Sequence, residues 1–196
     1  DRYYGTHIAG GNHQSGEGAF IIFDEETGFY YLYETYGGSS RTGGYNMRMF
    51  RSENIKGPYV DAAGGKAGDN GNSNYKYGIE LMSNYRIGSG IGYCSAGHNS
   101  ALIDGDGNRY LIYHQRFDNG TEYHEVRVHQ QFMNEDGWPI TAVYENRNEK
   151  ISGYDISEVT GTYDFINHKT ENYNGGGGKK IFFKKLQLHF LSYLKL

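Results

Sequence analysis

The sequence predicts an all-β protein made of repeated antiparallel sheets, and three observations carry this prediction. Tyrosine, with 20 residues, favours strands, and glycine, with 30, favours tight turns and bulges. Helix signals are weak along almost the whole chain. A strand, turn and strand pattern occurs near residue 20 and returns about 80 residues later. Short strands joined by glycine-containing turns are typical of all-β folds.

The first repeat begins with a hairpin. Phe20–Phe23 is an apolar strand, residues 24–28 form a turn, and Phe29–Tyr33 is the second strand. Residues 45–50 alternate in polarity and predict a third strand, and residues 57–60 close the unit.

The second repeat follows the same order. Its strands are residues 101–103, 109–113 and 123–129, and residues 137–140 close it. Equivalent residues are separated by 79 positions in three pairs: Gly28 and Gly107, Leu32 and Leu111, Arg48 and Arg127. An internal repeat of three or four strands is the signature of β-propeller blades.

The repeat is longer than the usual ~40–50 residues of a blade. Residues 61–97, rich in glycine and asparagine, are therefore predicted to hold an insertion and an extra strand. Two repeats cannot close a propeller, because closure needs at least four blades. We expect the chain to be a fragment, since open blades leave unpaired edges and an uncovered core.

Three regions follow from this division. Residues 1–145 are predicted to be propeller blades, and residues 146–178 are predicted to begin a second β domain. Residues 179–196 form a tail rich in lysine, leucine and phenylalanine that is unlike the rest of the chain. The tail is compatible with a cationic amphipathic helix, with a strand pair of the second domain, or with an out-of-frame end of a gene fragment.

Composition excludes several classes of protein. The net charge of −4 and the lack of a basic stripe argue against nucleic acid as a partner. No apolar run approaches the roughly 18 residues of a membrane helix, so no membrane partner is expected. The single cysteine, Cys94, excludes an internal disulfide and a cysteine-based zinc cluster, and is interpreted as a packed thiol.

Glu17 is the most informative carboxylate. It lies between two glycines just ahead of the first inner strand, and the first strand of a propeller blade lines the central channel. A partly desolvated carboxyl group there suits a general acid, because desolvation raises a carboxyl pKa. A solvated loop glutamate is the alternative.

His98 occupies nearly the same place in the second repeat, so both side chains are expected to face the channel. It could bind a metal, orient a carboxylate, or be a satisfied core histidine. The abundant tyrosines could likewise pack the sheets or stack on sugar rings.

Two metal-like patterns are rejected. Residues 104–108 resemble half of a calcium loop, but the required glycine is Arg109 and the required glutamate is Gln115, so they are interpreted as a turn. His124 and His129 are spaced wrongly for a zinc-protease helix and would point to opposite faces of a strand.

Several stretches together resemble glycoside hydrolase family 43, and within it the endo-α-1,5-L-arabinanases. They are residues 15–23, 29–33, 43–48, 51–52 with 57–61, 97–100, and 122–130 with 135–139. The resemblance covers residues 1 to about 145, and residues 150–170 are similar to the start of the C-terminal β-barrel of two-domain arabinanases.

This resemblance implies a five-bladed propeller that hydrolyses arabinan with inversion. Glu17 matches the general acid, and His98 matches the histidine that ligates or lies beside a central calcium ion. The usual proline after the acid is absent here, where the residues are Gly18, Ala19 and Phe20. The base aspartate and the aspartate that tunes the acid have no match, and we expect them upstream and the chain alone to be inactive.

Other interpretations remain open at this point. The same family includes β-xylosidases and α-L-arabinofuranosidases, and a propeller lacking the upstream aspartates would only bind glycan. A gene piece without function is a further possibility. An arabinan substrate implies secretion, with a signal peptide upstream, and we expect a monomer.

Overall fold

The computed structural model describes residues 5–10, 16–72, 77–155, 157–164, 166, 168 and 180–183. Apart from one short 3-10 helix at Ala67–Asn72, the secondary structure of these residues consists of strands, which confirms the predicted all-β class. The strands are β1 (Glu17–Asp24), β2 (Phe29–Tyr36), β3 (Asn46–Ser52), β4 (Ile79–Met82), β5 (Tyr85–Arg86), β6 (Gly92–Ile103), β7 (Arg109–Phe117), β8 (His124–Met133), β9 (Pro139–Thr141), β10 (Gly161–Asp164) and β11 (Lys180–Phe183).

The two predicted repeats form two antiparallel meander sheets, and the second has one extra strand, β5, at its edge. The first has the order β1-β2-β3-β4, and the second has the order β5-β6-β7-β8-β9. Their central hairpins share one register: Tyr33 pairs with Met49, and Ile112 pairs with Val128, both 79 positions further along. The internal repeat therefore corresponds to a repeated sheet.

The outer strand of the first sheet differs from the prediction. Val60 makes an isolated antiparallel bridge to Arg51, but the paired strand β4 begins only at Ile79. In the second sheet β9 follows its turn directly and pairs with β8. The insertion runs from residue 61 to 78, and β4, β5 and the first half of β6 follow between 79 and 97, so this region holds more strand than the single extra one predicted.

The main core lies between the two sheets. Each strand turns alternate residues towards the other sheet, so both contribute to one buried apolar cluster. Its members are Tyr31, Tyr33, Met47, Met49, Leu81, Met82, Tyr85, Ala96, Leu111, Tyr113 and Trp138. A second cluster on the far face of the first sheet is formed by Leu32, Phe50, Tyr59 and Ala67. The insertion thus covers a face that β1–β4 alone would leave open.

Two arginines fasten the sheets to each other. Arg109, at the start of β7, makes a bidentate ion pair with the buried carboxylate of Asp24, at the end of β1. Burial opposes ionisation of Asp24, but Arg109 outweighs it and the pKa of Asp24 is lowered. Arg51 of β3 lies 4.0 Å from the ring centroid of Trp138 and donates to the Gly137 carbonyl at 2.7 Å.

The chain beyond residue 145 contributes a small hairpin, in which β10 pairs with β11. Ile166 packs against the main core, and the Ser83 amide donates to His168 Nδ1 at 3.2 Å. Residues 180–183 of the tail are extended, as the strand-pair interpretation expects. Most of the rest of residues 165–179, and residues 184–196, lie outside the described part of the chain. The division at residue 146 stays a prediction.

No helix in the described part of the chain is long and apolar enough to cross a membrane.

Candidate functional site

Glu17 lies at a β-bulge at the entrance of β1. Glu17 pairs with Thr35 and Phe20 with Tyr33, so Gly18 and Ala19 together oppose one residue of β2. Gly18 has a φ of 59°, which glycine adopts without steric cost. The Glu17 side chain is exposed. The bulge lies at the sheet margin, where the described residues leave the carboxylate open to solvent, and its partial burial in a complete propeller stays a prediction.

His98 lies in the second of two bulges in β6. The pairing with β7 shifts once between Cys94 and Gly97 and again between Gly97 and Ser100. Here the positive φ values belong to side-chain-bearing residues, Ser95 at 53° and His98 at 52°. Such conformations are uncommon, and they cluster at functional sites. His98 is exposed, so the interpretation as a core histidine is wrong.

The structure brings the two predicted residues to one edge of the sheet pair. A Cβ atom on Gly18 would lie 3.2 Å from the Cα of His98, so the two bulges touch. Thr35, opposite Glu17 in the register, accepts a hydrogen bond from the His98 amide at 2.9 Å. Both side chains are exposed there, so a ligand could contact both.

Tyr45, just before β3, joins this site, although the sequence analysis did not select it as a site residue. Its hydroxyl group donates a hydrogen bond to Glu17 Oε1, while its ring is almost fully buried. Burial, followed by the bond to Glu17, raises the pKa of Tyr45 well above its usual value. The phenol is therefore protonated and remains a donor over the whole working pH range of a protein.

A row of three imidazoles extends from the site across the second sheet. The ring centroids of His98 and His114 are 6.5 Å apart, and those of His114 and His124 are 4.9 Å apart. Burial, reinforced by the neighbouring His124, lowers the pKa of His114 to about 4. His114 is thus neutral near pH 7. Strand alternation in β7 and β8 could have indicated that these rings share a face, but not that they meet His98.

Glu34 is a second carboxyl group near the site, on the other face of β2. It is buried, and Tyr36 donates a hydrogen bond to its Oε2 atom. A Cβ atom on Gly16 would lie 2.9 Å from that oxygen, so Glu34 packs beneath the residue that precedes Glu17. Burial raises the pKa of Glu34. The sequence analysis did not single out this residue.

His98, the predicted calcium ligand, has few other potential metal ligands around it among the described residues. Within the described residues, no group of three or more His, Cys, Asp or Glu side chains is arranged to hold a metal ion. Calcium takes six to eight oxygen ligands, whereas the side chains stacked in line with His98 are imidazoles. The described residues therefore do not form a calcium site by themselves.

The rejected patterns behave as the sequence predicts. The Asp104 carboxylate accepts hydrogen bonds from the amides of Asp106 and Asn108, both at 2.9 Å, as in a self-closed turn. His124 is exposed, whereas His129 is buried and bonds to the Ala142 carbonyl, so the two occupy opposite faces of β8. Cys94 is buried, and burial raises the pKa of its thiol to about 11.

Comparison with known proteins gives consistent matches. The chain is 45% identical over 179 residues to the extracellular endo-α-(1→5)-L-arabinanase 2 of Bacillus subtilis, covering 84% of this chain and 38% of that protein. It is 40% identical over 180 residues to the extracellular endo-α-(1→5)-L-arabinanase of Thermotoga petrophila, covering 86% of this chain and 38% of that protein. The chain thus spans little more than a third of the length of the curated relatives it matches. No protein-family model matches it.

A solved structure supports the same relationship. A family 43 glycoside hydrolase protein from Bacillus licheniformis superposes with a TM-score of 0.77 at 43% identity, covering 82% of this chain and 39% of that protein. The matched part of the chain is thus similar to named endo-α-1,5-L-arabinanases and to a family 43 glycoside hydrolase.

Proposed function

We propose that the protein containing this chain hydrolyses α-1,5-L-arabinan, with Glu17 as the general acid. The observation that carries the proposal is the Glu17 carboxyl group, exposed to solvent and held by the Tyr45 hydroxyl beside His98. The names of the curated relatives supply the substrate. Because those relatives are named extracellular, we also propose that the protein is secreted and meets arabinan outside the cell.

The proposed reaction is inverting. Glu17 protonates the glycosidic oxygen as it leaves, while a second carboxylate removes a proton from a water molecule on the opposite face of the sugar. The two carboxyl groups of an inverting enzyme lie roughly 6.5–9.5 Å apart, which leaves room for that water. We propose that the base aspartate and an aspartate that tunes the acid lie in a part of the protein that this chain does not include. The chain alone is then inactive, because an acid without a base cannot activate water.

The proposed architecture extends the two sheets. We propose that they are neighbouring blades of a five-bladed propeller and that β10 and β11 belong to a C-terminal β-barrel. The shared strand order and the face-to-face packing of the sheets support this arrangement. We further propose that His98 is one ligand of a calcium ion whose other ligands are water and residues outside the described part of the chain. The test of that ion is thermal unfolding with and without a chelator. Chelation is expected to lower the melting temperature, added calcium is expected to restore it, and the change is expected to be smaller in His98→Ala.

The experiment that tests the function compares variants of the full-length protein on debranched linear α-1,5-arabinan. The wild type is expected to release arabino-oligosaccharides, and Glu17→Gln is expected to lose several orders of magnitude in kcat. The matched control is Glu25→Gln, which removes an exposed carboxylate from the turn between β1 and β2. It is expected to behave as the wild type.

The other outcomes discriminate between the alternatives. Equal activity of wild type and Glu17→Gln would show that Glu17 is not the acid. If the wild type cleaves xylosides or terminal arabinofuranosides but not arabinan, the protein is a different family 43 enzyme. If it binds arabinan without cleaving any of these substrates, the protein is a glycan-binding propeller.

A further inference from the structure

The Tyr45 side chain is held by packing against the second sheet as well as by its hydrogen bond to Glu17. Its side chain is 1% exposed. Its ring packs on Gly97, where a Cβ atom would collide with the ring carbons, and it stacks on His114 with the ring centroids 5.6 Å apart and the planes 21° from parallel. The hydroxyl group therefore has a fixed position, set by two residues that do not contact Glu17 through any described hydrogen bond.

Glu17, in contrast, has little else to fix it. Its side chain is exposed and follows a bulge, and among the described residues Tyr45 is the one side chain that hydrogen-bonds to it. A free glutamate side chain samples several rotamers, and ordering it costs conformational entropy. A general acid must meet the leaving oxygen within hydrogen-bond distance, so this freedom reduces its efficiency.

We propose that Tyr45 is the positioning residue of the proposed general acid: its buried ring, seated on Gly97 and His114, holds the Glu17 carboxyl group for proton transfer to the leaving oxygen. The hydroxyl binds Oε1, which leaves Oε2 available to carry the proton. This inference rests on the proposed function, because it assigns Tyr45 a task only if Glu17 is the acid.

The role predicts a dependence on the leaving group. Arabinan releases a poor leaving group that needs protonation, whereas a dinitrophenyl glycoside of an arabino-oligosaccharide releases a phenolate that leaves unprotonated. A misplaced acid therefore slows the first substrate much more than the second. Because small misplacements cost up to about a hundredfold, we expect kcat of Tyr45→Phe on arabinan to fall about 10–100-fold, with KM little changed.

The test measures kcat and KM of the full-length protein on both substrates. The matched control is Tyr33→Phe, which removes another buried hydroxyl, bonded to Gln131 Oε1 at 3.1 Å in the core between the sheets. Tyr33→Phe reports what the loss of a buried tyrosine hydrogen bond does by structure alone, and the melting temperature of each variant confirms that it is folded. A second variant, Gly97→Ala, displaces the Tyr45 ring without altering either hydrogen-bonding group and is expected to reproduce the same selectivity.

Selective loss on arabinan in Tyr45→Phe, absent in Tyr33→Phe, supports the proposal. Equal loss on both substrates would reduce Tyr45 to a structural residue, and unchanged kcat would show that Glu17 needs no such support. A protein in which Glu17→Gln abolishes activity while Tyr45→Phe does not contradicts this inference alone. A wild type that cleaves neither arabinan nor the dinitrophenyl glycoside contradicts the proposed function first.

Discussion

Strands β1 and β6 are equivalent in the repeat, yet they form their bulges in different ways. In β1 the positive φ belongs to Gly18, next to Glu17, the proposed general acid. In β6 it belongs to Ser95 and to His98 itself. The first sheet thus leaves the conformation of its carboxylate residue unstrained and relies on Tyr45 to hold it. The second sheet constrains its histidine through the backbone. A repeated scaffold can therefore present two different groups at one edge with different degrees of freedom.

The largest expected loss of stability comes from removing the ion pair that joins the two sheets. Arg109→Met leaves the Asp24 carboxylate buried without its partner, and removing one member of a buried pair typically costs about 3–5 kcal/mol. We expect a loss of that size in the free energy of unfolding, measured by denaturant titration of the full-length protein.

The control for this prediction is Arg127→Met. Arg127 pairs with Glu125 and Glu145, whose side chains are 63% and 48% exposed, and exposed pairs contribute less than about 1 kcal/mol. An equal decrease in the free energy of unfolding in the two variants would mean that the Asp24–Arg109 pair stabilises the protein no more than an exposed ion pair does.

A smaller effect tests the two bulges directly. Gly18→Ala places a Cβ atom 3.2 Å from the Cα of His98 on a residue with φ of 59°, and we expect a loss of about 1–2 kcal/mol. With a chelator present, which removes the proposed calcium ion, His98→Asn should be nearly neutral, because asparagine tolerates the left-handed region. Thermal or denaturant unfolding measures both variants.

Gly105→Ala is the reference for that experiment. Gly105 lies in a turn of the second sheet, has open space around the position of a Cβ atom, and is not among the residues with positive φ. It should change stability by less than about 0.5 kcal/mol. If Gly18→Ala is equally mild, the bulge of β1 does not depend on glycine, and the contrast with β6 disappears.

The smallest effect is a pH dependence carried by the second sheet. Burial lowers the pKa of His129, while an unfolded histidine keeps a pKa near 6.5. Below pH 6.5 the unfolded chain therefore binds a proton that the folded chain does not bind. The free energy of unfolding is highest above pH 6.5 and declines as the pH falls below it. His129→Asn, which can still donate to the Ala142 carbonyl, should flatten this slope between pH 7 and pH 5. An unchanged slope would show that other groups set it.

The fold was predictable where local pattern and repeat agreed. The aromatic and aliphatic runs at Phe29–Tyr33 and Arg109–Tyr113, with a turn before each, predict strands that the structure extends to Tyr36 and Phe117. The start of β6 at Gly92 and the position of β4, which begins at Ile79 instead of directly after the turn at 57–60, were not predictable. Glycine-rich sequence is typical of loops, so it gave no strand signal there. Glu17 and His98 could be selected by their equivalent places in the repeat. Tyr45 could not, because its contact with Glu17 spans 28 residues and nothing local distinguishes it among 20 tyrosines.

The insertion between Val60 and β4 is closed at its base by one side chain. The Asp61 carboxylate accepts hydrogen bonds from the amides of Ala63 at 2.9 Å, and of Gly65 and Gly78 at 2.8 Å, so the chain leaves the sheet and returns to it at one point. Since β4 resumes pairing with β3 immediately afterwards, the register of the sheet is independent of the number of residues in the excursion. This position is therefore a natural place for length variation, and a foreign peptide inserted there would leave the edge bearing Glu17 undisturbed as long as Ala67 and Tyr77 keep their places against the first sheet.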